Sequence, residues 1–591
     1  RAATHYDFAV VASSSASSCD SEYDAQASPA TITRPMHLET ATQLGLMSDP
    51  SIPPLIPSLL PPSAPSASGC FLRRWLLAPP PPDVADAMRR LVRALKEDDR
   101  GRALPSLRAP ALGGRAASLI RAGQASAARH REVLVALDAA AEVLLLDDGC
   151  DDGEFGAAAA GRVVDPLLKI LRHEAGVAGA ERGGASAVNS AALGESFLDA
   201  MEKIESVVST QYLEPPLRNG DRDDNGSSEG QEDVISYHGD IVPPAFFERN
   251  EEIWRGRVKL SALKDAGRVS RAARRLAEAV AIDFWGLGVG DDITARDDSA
   301  IDLSNARESK NPVVQDRFNN LIAIKSIPSW WSEEVEFDDE TAMESSNGSD
   351  DEKGDRLRRR YFRPHDRNGK VLRNRYTTKR VQRALSDYVE ACEDARDEVE
   401  QALTQLSGDL VDEGHLPAIV QAFRLNLILS TAAHHAASSN ARGWNVGTAY
   451  DEDSDPSDRG AVSLSSSSAG MFQGVWPYWM SYAESVPNTF SLDGLFLLTA
   501  PNMSGKSTLM RSTAAAALLI NSGLCAPVGP GSAVRRFDSV FVRGASADVP
   551  AEGKSAFGAE MGDVAALLRS CGSQSLVFVD EIGRGTSPRD G

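Results

Sequence analysis

The 591-residue chain is long enough for several domains, each with its own hydrophobic core. A formal net charge of -22 would ordinarily argue against a nucleic-acid partner. The charge is unevenly distributed, however, because residues 333–355 alone hold eleven carboxylates against one lysine, so the net charge of the whole chain is a poor guide. No C-x-x-C spacing occurs, which excludes a zinc ribbon or a disulfide framework and fits a reducing compartment; the six cysteines are Cys19, Cys70, Cys150, Cys392, Cys525 and Cys571.

The first part of the chain predicts helices between linkers. Residues 1–34 are rich in Ala and Ser and predict a low-complexity linker or the remnant of another domain. Residues 35–213 predict a helical region, in which Phe71, Trp75 and Leu76 form one apolar helix face. Residues 214–235 are acidic and polar, and we expect them to be a disordered linker. No apolar run approaches the length of a membrane span, so we expect no membrane partner.

Region 236–375 begins with a predicted packed unit that runs from residue 240 to about Trp285. The region also contains the acidic loop 333–355 and then turns basic. Eleven lysines and arginines lie between residues 356 and 380. Such side chains neutralise phosphates and release counterions, so the stretch is a candidate DNA contact. The alternative is a solvated loop that offsets the acidic run before it. The candidate DNA-contacting residues are Arg358, Arg359, Arg360, Arg363, Arg367 and Lys370.

A seven-residue apolar period in residues 376–448 predicts a long helix that returns to a core. Thr377 or Thr378 can cap its start. The narrow apolar seam predicts a rod packed against another helix. The seam consists of Val381, Leu385, Tyr388, Cys392, Ala395, Val399, Ala402 and Leu406. Residues 449–469 are rich in Ser and Asp and predict a further linker.

Residues 470–591 contain a phosphate-binding loop pattern. Residues 495–499 are an apolar run predicted to be a buried strand, residues 500–508 form a turn ending in Gly-Lys-Ser-Thr, and residues 509–520 favour a helix. In such a loop, backbone N–H groups and a helix N-terminus point at one anion. We assign the β- and γ-phosphates to Lys506 and Mg²⁺ to Ser507.

Two further features bear on catalysis. Ala500 replaces the first glycine of the pattern, which costs on the order of 1 kcal/mol if that position needs a positive φ. Residues 575–579 predict a second buried strand, which ends in Asp580 and Glu581. Asp580 can hold Mg²⁺ or its water, and Glu581 can orient or deprotonate an attacking water.

Residues 499–508, 554–561 and 580–591 resemble three successive motifs of the MutS family of mismatch-recognition ATPases. The Asp-Glu-Ile-Gly-Arg-Gly-Thr-Ser of residues 580–587 is close to diagnostic. The resemblance implies a multidomain protein with a mainly α-helical lever and clamp region followed by an α/β P-loop, ATP-binding-cassette-like ATPase domain. It also implies ATP and Mg²⁺ as cofactors, double-stranded DNA as partner, and a homo- or heterodimer formed through the ATPase domains.

The resemblance assigns segments and residue roles. It makes 35–213 the first part of the lever, 236–375 a clamp, 376–448 the long lever helix, and 470–591 a truncated ATPase domain, in a fragment without the mismatch-binding domain. Ser555 would reach the γ-phosphate bound by a partner subunit, Asn502 would help to place the γ-phosphate and water, and Asp590 would lie at the dimer interface. The implied nucleotide-binding residues are Pro501, Asn502, Met503, Ser504, Gly505, Lys506, Ser507, Thr508 and Ser555.

Residues 240–258 most resemble the plant organellar branch of the family, which implies a mitochondrial or plastid location, with the nucleus as the alternative. The chain also departs from the family. Ser485 stands where many relatives place a phenylalanine that stacks on adenine, and Tyr482 or Trp476 is a candidate substitute. A histidine that relatives carry beyond Glu581 is missing, as is a C-terminal helix-turn-helix. We therefore expect weak nucleotide binding and poor hydrolysis from this fragment.

Three functional hypotheses remain at this point. The first is an ATPase of mismatch repair or recombination surveillance whose nucleotide state moves a clamp on duplex DNA. The second is a catalytically weak DNA-binding scaffold, which Ala500 and Ser485 suggest. The third is a transporter-type or chromosome-organising ATPase, which the Gly-Arg-Gly-Thr of residues 583–586 disfavours.

Overall fold

Apolar residues spaced three and four positions apart make most of the regular structure helical in the computed structural model. The structure describes residues 36–97, 113–145, 156–174, 190–210, 244–265, 267–285, 313–316, 321–327, 361–366, 368–450, 471–492, 494–501, 503–544 and 556–580. Helices α1–α14 are Leu38–Gln43, Ile56–Leu59, Ser66–Leu77, Pro82–Glu97, Gly113–Arg121, Ala127–Leu145, Gly156–Glu174, Ser190–Val207, Pro244–Glu251, Gly267–Trp285, Lys379–Asp412, Leu416–Arg442, Lys506–Asn521 and Ala556–Ser570. Strands β1–β12 are Val314–Asp316, Leu321–Ala323, Tyr361–Phe362, Thr377–Thr378, Asn445–Val446, Thr448–Tyr450, Met471–Val475, Asn488–Ser491, Cys525–Ala526, Ala533–Arg535, Ser539–Arg543 and Ser575–Val579.

The chain forms two compact units. Unit 1 combines residues 1–99 with 431–591, and unit 2 consists of residues 100–430. The chain therefore passes between the units twice, after residue 99 and within α12. The finer division into seven segments stays a prediction.

In unit 2, the long helix α11 confirms the prediction from the apolar period. It spans 34 residues and packs against α10, and Thr378 caps it by accepting a hydrogen bond from the N–H of Val381 at 3.2 Å. The buried seam follows the predicted positions as far as Val399. Beyond that point Leu403 is buried while Ala402 is only half-buried. An α-helix has 3.6 residues per turn, so a strict seven-residue spacing drifts off one face.

A β-hairpin of unit 2 carries part of the predicted basic stretch. Strands β3 and β4 pair antiparallel, and an isolated bridge joins His365 to Val371 beyond them. The Asp366 carboxylate accepts the N–H groups of Asn368 and Lys370 at 2.9 and 2.8 Å, which shapes the turn. At the base, Thr378 donates to the buried Asp283 of α10 at 2.6 Å. The hairpin thereby joins the start of α11 to α10.

In unit 1, helix α13 lies at the centre of the packing. Every residue from Ser512 to Ile520 is buried, and α13 contacts β6, β7, β9 and β11. The strands form two-stranded ladders, of which β6–β10 and β11–β12 are parallel and β5–β9 and β7–β8 are antiparallel. The mainly helical character and the short parallel pairs agree with the expected helical region followed by an α/β region.

The predicted buried strand at residues 495–499 is wrong in this structure. The segment has no regular secondary structure and forms no ladder among the described residues. Leu495 and Leu497 are 97% and 82% exposed. The prediction required apolar cover on both faces, and the segment lies outside the ladder of β11 and β12, so neither side chain is covered.

The expectation that no apolar run approaches the length of a membrane span is wrong for α12, the one described helix that is long and apolar enough to cross a membrane. Most of its apolar stretch is buried inside the protein, as expected for a core helix. Within unit 1 its His435 is fully buried between two backbone partners. The Nδ1–H donates to the Leu59 carbonyl at 3.0 Å, and Nε2 accepts the Cys525 N–H at 3.0 Å. Burial lowers the pKa of His435 to about 4.

Because the unfolded chain protonates His435 near its ordinary pKa of 6.5, acid favours unfolding. The contribution of neutral His435 to the free energy of unfolding is fully present above pH 6.5 and falls as the pH drops toward 4. In full it amounts to about 3 kcal/mol. We expect His435→Asn to be less stable than the wild type at pH 7.5 and to lose less stability between pH 6.5 and 4.5. Urea unfolding at several pH values measures this, with His434→Gln as the control. Equal pH slopes for His435→Asn and the wild type would contradict the assignment.

Candidate nucleotide-binding site

The loop before α13 has the backbone of an anion-binding turn. Gly505 is the N-cap of α13 and has a φ of 93°, and Met503 has a φ of 62°. Left-handed residues beside a helix start aim successive N–H groups at one side of a loop. Met503 is fully exposed, and its left-handed conformation costs on the order of 1 kcal/mol. Backbone strain in this loop therefore lies at Met503.

Ala500, which replaces the expected glycine, carries no such cost. Met503 is the single non-glycine residue with a positive φ in the part of the chain that the structure describes. The methyl group of Ala500 is therefore compatible with its backbone conformation, and the penalty considered from the sequence does not apply.

Two charged or polar pairs organise the site. The Lys506 Nζ donates to the carbonyl of Ala500 at 2.8 Å, which closes the loop on itself. The Ser507 hydroxyl donates to the Asp580 Oδ2 at 2.5 Å. Lys506, Ser507 and Asp580 are all half-buried.

The parallel pairing of β11 and β12 explains the position of Asp580. The ladder runs in register from Ser539 opposite Ser575 to Arg543 opposite Val579. The Asp580 N–H then donates to the Arg543 carbonyl at 3.1 Å, which extends the ladder by one residue. Asp580 thus follows the carboxyl end of β12, at the edge where α/β proteins bind ligands.

The oxygens of Ser507 and Asp580 suit a hard divalent cation. Mg²⁺ prefers oxygen ligands and keeps several waters, taking one or two protein ligands together with phosphate oxygens. Within the described ranges, no group of three or more His, Cys, Asp and Glu side chains offers a site built from protein alone. The pair therefore fits a metal that arrives with a phosphate ligand.

The other predicted nucleotide contacts divide into two groups. Pro501, Met503, Ser504 and Gly505 are exposed along the loop, and Thr508 is half-buried in the first turn of α13. Sequence reasoning missed the backbone carbonyl of Ala500 as the partner of Lys506, since no side-chain pattern signals it. Asn502, Ser555, Glu581 and Asp590 lie outside the described residues.

One of the two candidate adenine-stacking rings is inaccessible. Trp476 is 2% exposed, so its faces are covered by the protein. Tyr482 is 57% exposed and contacts Trp476 edge to face, with 5.0 Å between ring centroids. Of the two rings, Tyr482 alone has an open face.

The candidate DNA-contacting residues are partly described. Lys370 is exposed at the turn of the hairpin, whereas Arg363 is half-buried and lies over the ring of Tyr376, 5.6 Å from its centroid. Arg373, which the candidate set omits, is also exposed on this hairpin. Arg358, Arg359, Arg360 and Arg367 lie outside the described residues.

Comparison with known proteins shows which proteins the region of the site and the rest of the chain resemble. Residues 496–591 match the family model "MutS domain V". The resemblance to the MutS family is confirmed. The chain is 28% identical to the mitochondrial DNA mismatch repair protein MSH1 of Arabidopsis thaliana over 569 residues, which cover 94% of this chain and 44% of that protein. It is 44% identical to the DNA mismatch repair protein MutS of Thermus aquaticus over 109 residues, 18% of this chain and 13% of that protein.

A third relative, the DNA mismatch repair protein MutS of Nitratidesulfovibrio vulgaris strain DP4, is 44% identical over 112 residues, 18% of this chain and 12% of that protein. The chain thus spans less than half the length of these curated MutS relatives. The two bacterial matches cover 18% of this chain at 44% identity, whereas the plant match covers 94% of it at 28% identity.

The Ser507–Asp580 hydrogen bond predicts an energetic coupling between α13 and β12. A hydrogen bond to a charged group contributes about 1.5–3 kcal/mol, and the half-buried setting favours the lower end. We expect a double-mutant cycle of Ser507→Ala and Asp580→Ala, measured by urea unfolding, to give a coupling of about 1 kcal/mol or more. The matched control is a second cycle in which Ser504→Ala takes the place of Ser507→Ala, because Ser504 is exposed in the same loop. Additive effects in both cycles would exclude the coupling.

Proposed function

We propose that this chain is an ATP-dependent DNA-binding protein of mismatch repair or recombination surveillance, and that ATP binding and hydrolysis move a clamp on duplex DNA. The observation that carries the proposal is the meeting of Ser507 and Asp580 beside the loop at the start of α13, 2.5 Å apart. The match of residues 496–591 to MutS domain V supports it independently.

In this proposal the residues divide the work. The Lys506 ammonium and the N–H groups of the loop bind the phosphates. Ser507 and Asp580 hold Mg²⁺, which neutralises negative charge on the phosphates. Glu581, the next residue after Asp580, orients or deprotonates the attacking water, and Asn502 helps to place it. A partner subunit's copy of Ser555 completes the site, so closure of the site is linked to the movement of two subunits.

The proposal extends to partners and location. The Arabidopsis relative is named as a mitochondrial mismatch repair protein, which supports an organellar location for this chain. Double-stranded DNA and a second ATPase domain, from the same or a related protein, are the proposed partners. The exposed Lys370 and Arg373 on the hairpin supply phosphate contacts.

A catalytically weak scaffold remains the second candidate, and one observation favours it. Ser485 occupies the position of a stacking ring in many relatives, so nucleotide affinity depends on what replaces that ring. Tyr482 is the exposed aromatic side chain three residues earlier. The scaffold and the ATPase share the fold and differ in whether bound ATP changes the protein's hold on DNA.

One substitution tests nucleotide binding itself, and a second separates the two candidates. Lys506→Ala removes the charge that binds phosphate, and we expect at least a tenfold loss of affinity for a fluorescent ATP analogue, about 1.4 kcal/mol. Glu581→Gln keeps binding but slows hydrolysis, and we expect it to hold an ATP-bound state on DNA with a longer lifetime, measured by biolayer interferometry. Glu484→Gln, at another acidic position of the predicted ATPase domain, is the control. An unchanged DNA lifetime in Glu581→Gln, with ATP bound, would favour the scaffold.

The DNA proposal predicts a change in salt dependence. Each neutralised phosphate contributes about 0.9 to the slope of log K against log salt. We expect Lys370→Gln combined with Arg373→Gln to weaken binding to duplexes of any sequence and to lower the slope by about two. Fluorescence anisotropy at several salt concentrations measures it. The control pair is Arg121→Gln with Arg275→Gln, two exposed arginines on α5 and α10; equal slopes in both pairs would exclude the hairpin.

A further inference from the structure

The C-terminal end of α13 is held by two buried side chains from the N-terminal segment of unit 1. The Arg89 Nη2 on α4 donates to the Ile520 carbonyl at 2.7 Å, and the Trp75 Nε1 on α3 donates to the Ser522 carbonyl at 3.0 Å. Arg89 is 7% exposed and Trp75 is 3% exposed. The Trp75 N–H thereby serves a carbonyl at a helix end whose last carbonyl groups lack partners in the next turn. Arg89 adds a second donor to the Ile520 carbonyl, which also accepts the Gly523 N–H at 3.1 Å.

The backbone at the C-terminal end of α13 is in close contact with α4. Gly523 follows the helix with a φ of 79°, and a Cβ there would lie 2.0 Å from the Ala85 carbonyl of α4. Helix α4 therefore packs directly on the turn that ends α13, and any movement of that turn must displace α4 or break the contact. Interiors packed this tightly transmit displacement instead of absorbing it.

Electrostatics strengthens the same contact. The positive Arg89 lies at the negative end of the α13 dipole. Burial is the main cause that lowers the pKa of Arg89 to about 9, so the side chain remains charged at neutral pH. Asp86 pairs with Arg89 and also with Arg536, whose Nη2 lies 2.6 Å from the Asp86 Oδ2. Arg536 follows β10, so α4 is tied both to α13 and to the strands beside it.

The far end of α4 contacts the other segment through which the chain leaves unit 1. Lys96 donates to the Trp444 carbonyl, and the Asn440 amide of α12 lies 3.5 Å from the Lys96 carbonyl. Helix α4 ends at Glu97, just before the first passage into unit 2, and α12 contains the second passage. One helix thus contacts the end of α13 and lies at both exits from unit 1.

We propose that α4 transmits the nucleotide state of the loop to both exits of unit 1, with Arg89 and Trp75 as the positioning residues that join α13 to α4. The inference rests on the proposed nucleotide site at the opposite end of α13. A 16-residue helix is about 24 Å long, so neither residue contacts the nucleotide. A change that phosphates impose on the first turn of α13 reaches α4 because α13 is buried and moves as one body.

Hydrogen–deuterium exchange of the full chain, with and without a non-hydrolysable ATP analogue and Mg²⁺, tests the inference. We expect the analogue to change exchange in residues 84–97 and 431–444 by about threefold or more in the wild type. Trp75→Phe keeps an aromatic side chain but removes the indole N–H together with the five-membered ring, and Arg89→Lys keeps the charge and removes the fork of donors. Each should reduce that change to near zero, while affinity for the analogue stays within about threefold of the wild type. Arg90→Lys makes the same substitution at the exposed neighbouring position and should behave like the wild type.

The outcomes separate this inference from the proposed function. If the wild type binds the analogue but exchange in the two segments is unchanged, α4 does not transmit and the nucleotide site stands. If both variants respond like the wild type, Arg89 and Trp75 are structural and the inference is overturned. If the wild type binds no better than Lys506→Ala, the proposed function fails first. Should Arg89→Lys lower the melting temperature strongly, Trp75→Phe decides alone.

Discussion

The hydrogen bond from Ser507 to Asp580 joins two segments that lie 73 residues apart in the sequence. One belongs to the first turn of a buried helix, and the other follows a strand in a parallel pair. Their proximity requires that α13 and β12 keep a single relative placement, which the packing of α13 on β11 provides. The rest of unit 1 can be understood as the support for that placement, because α1, α3 and α4 cover β11 and the end of α13.

Helix α1 gives this support in a specific way. The Thr40 hydroxyl accepts the N–H of Val542 at 3.1 Å, on β11. The side-chain amide oxygen (Oε1) of Gln43 accepts hydrogen bonds from both Nε and Nη2 of Arg511, one turn into α13. A six-residue helix would be marginal alone. Here α1 is stabilised by hydrogen bonds between its polar side chains and β11 and α13.

Local patterns predicted what depends on local physics. The apolar period and Thr378 predicted α11 and its cap, and the Gly-Lys-Ser-Thr sequence predicted a turn that leads into a helix, which begins at Lys506. The period failed only near Ala402, where the helical repeat departs from seven residues. Contacts such as Trp75 with Ser522, which are 447 residues apart, left no trace in the sequence pattern because neither residue type specifies its partner. The strand at residues 495–499 failed for the related reason that burial was assumed from apolar composition.

The argument for a weak scaffold loses part of its basis in the loop itself. Two departures from the family suggested it, and one of them, Ala500, turns out to occupy a backbone conformation that alanine adopts without cost. The loop places its strain at Met503, whose side chain is fully exposed. Strain held in a loop that contacts a ligand is a known feature of functional sites. Within the proposed function, the remaining departure, Ser485, concerns the base and not the phosphates. It therefore bears on the proposed affinity for nucleotide and leaves the proposed phosphate-binding roles of Lys506, Ser507 and Asp580 unaffected.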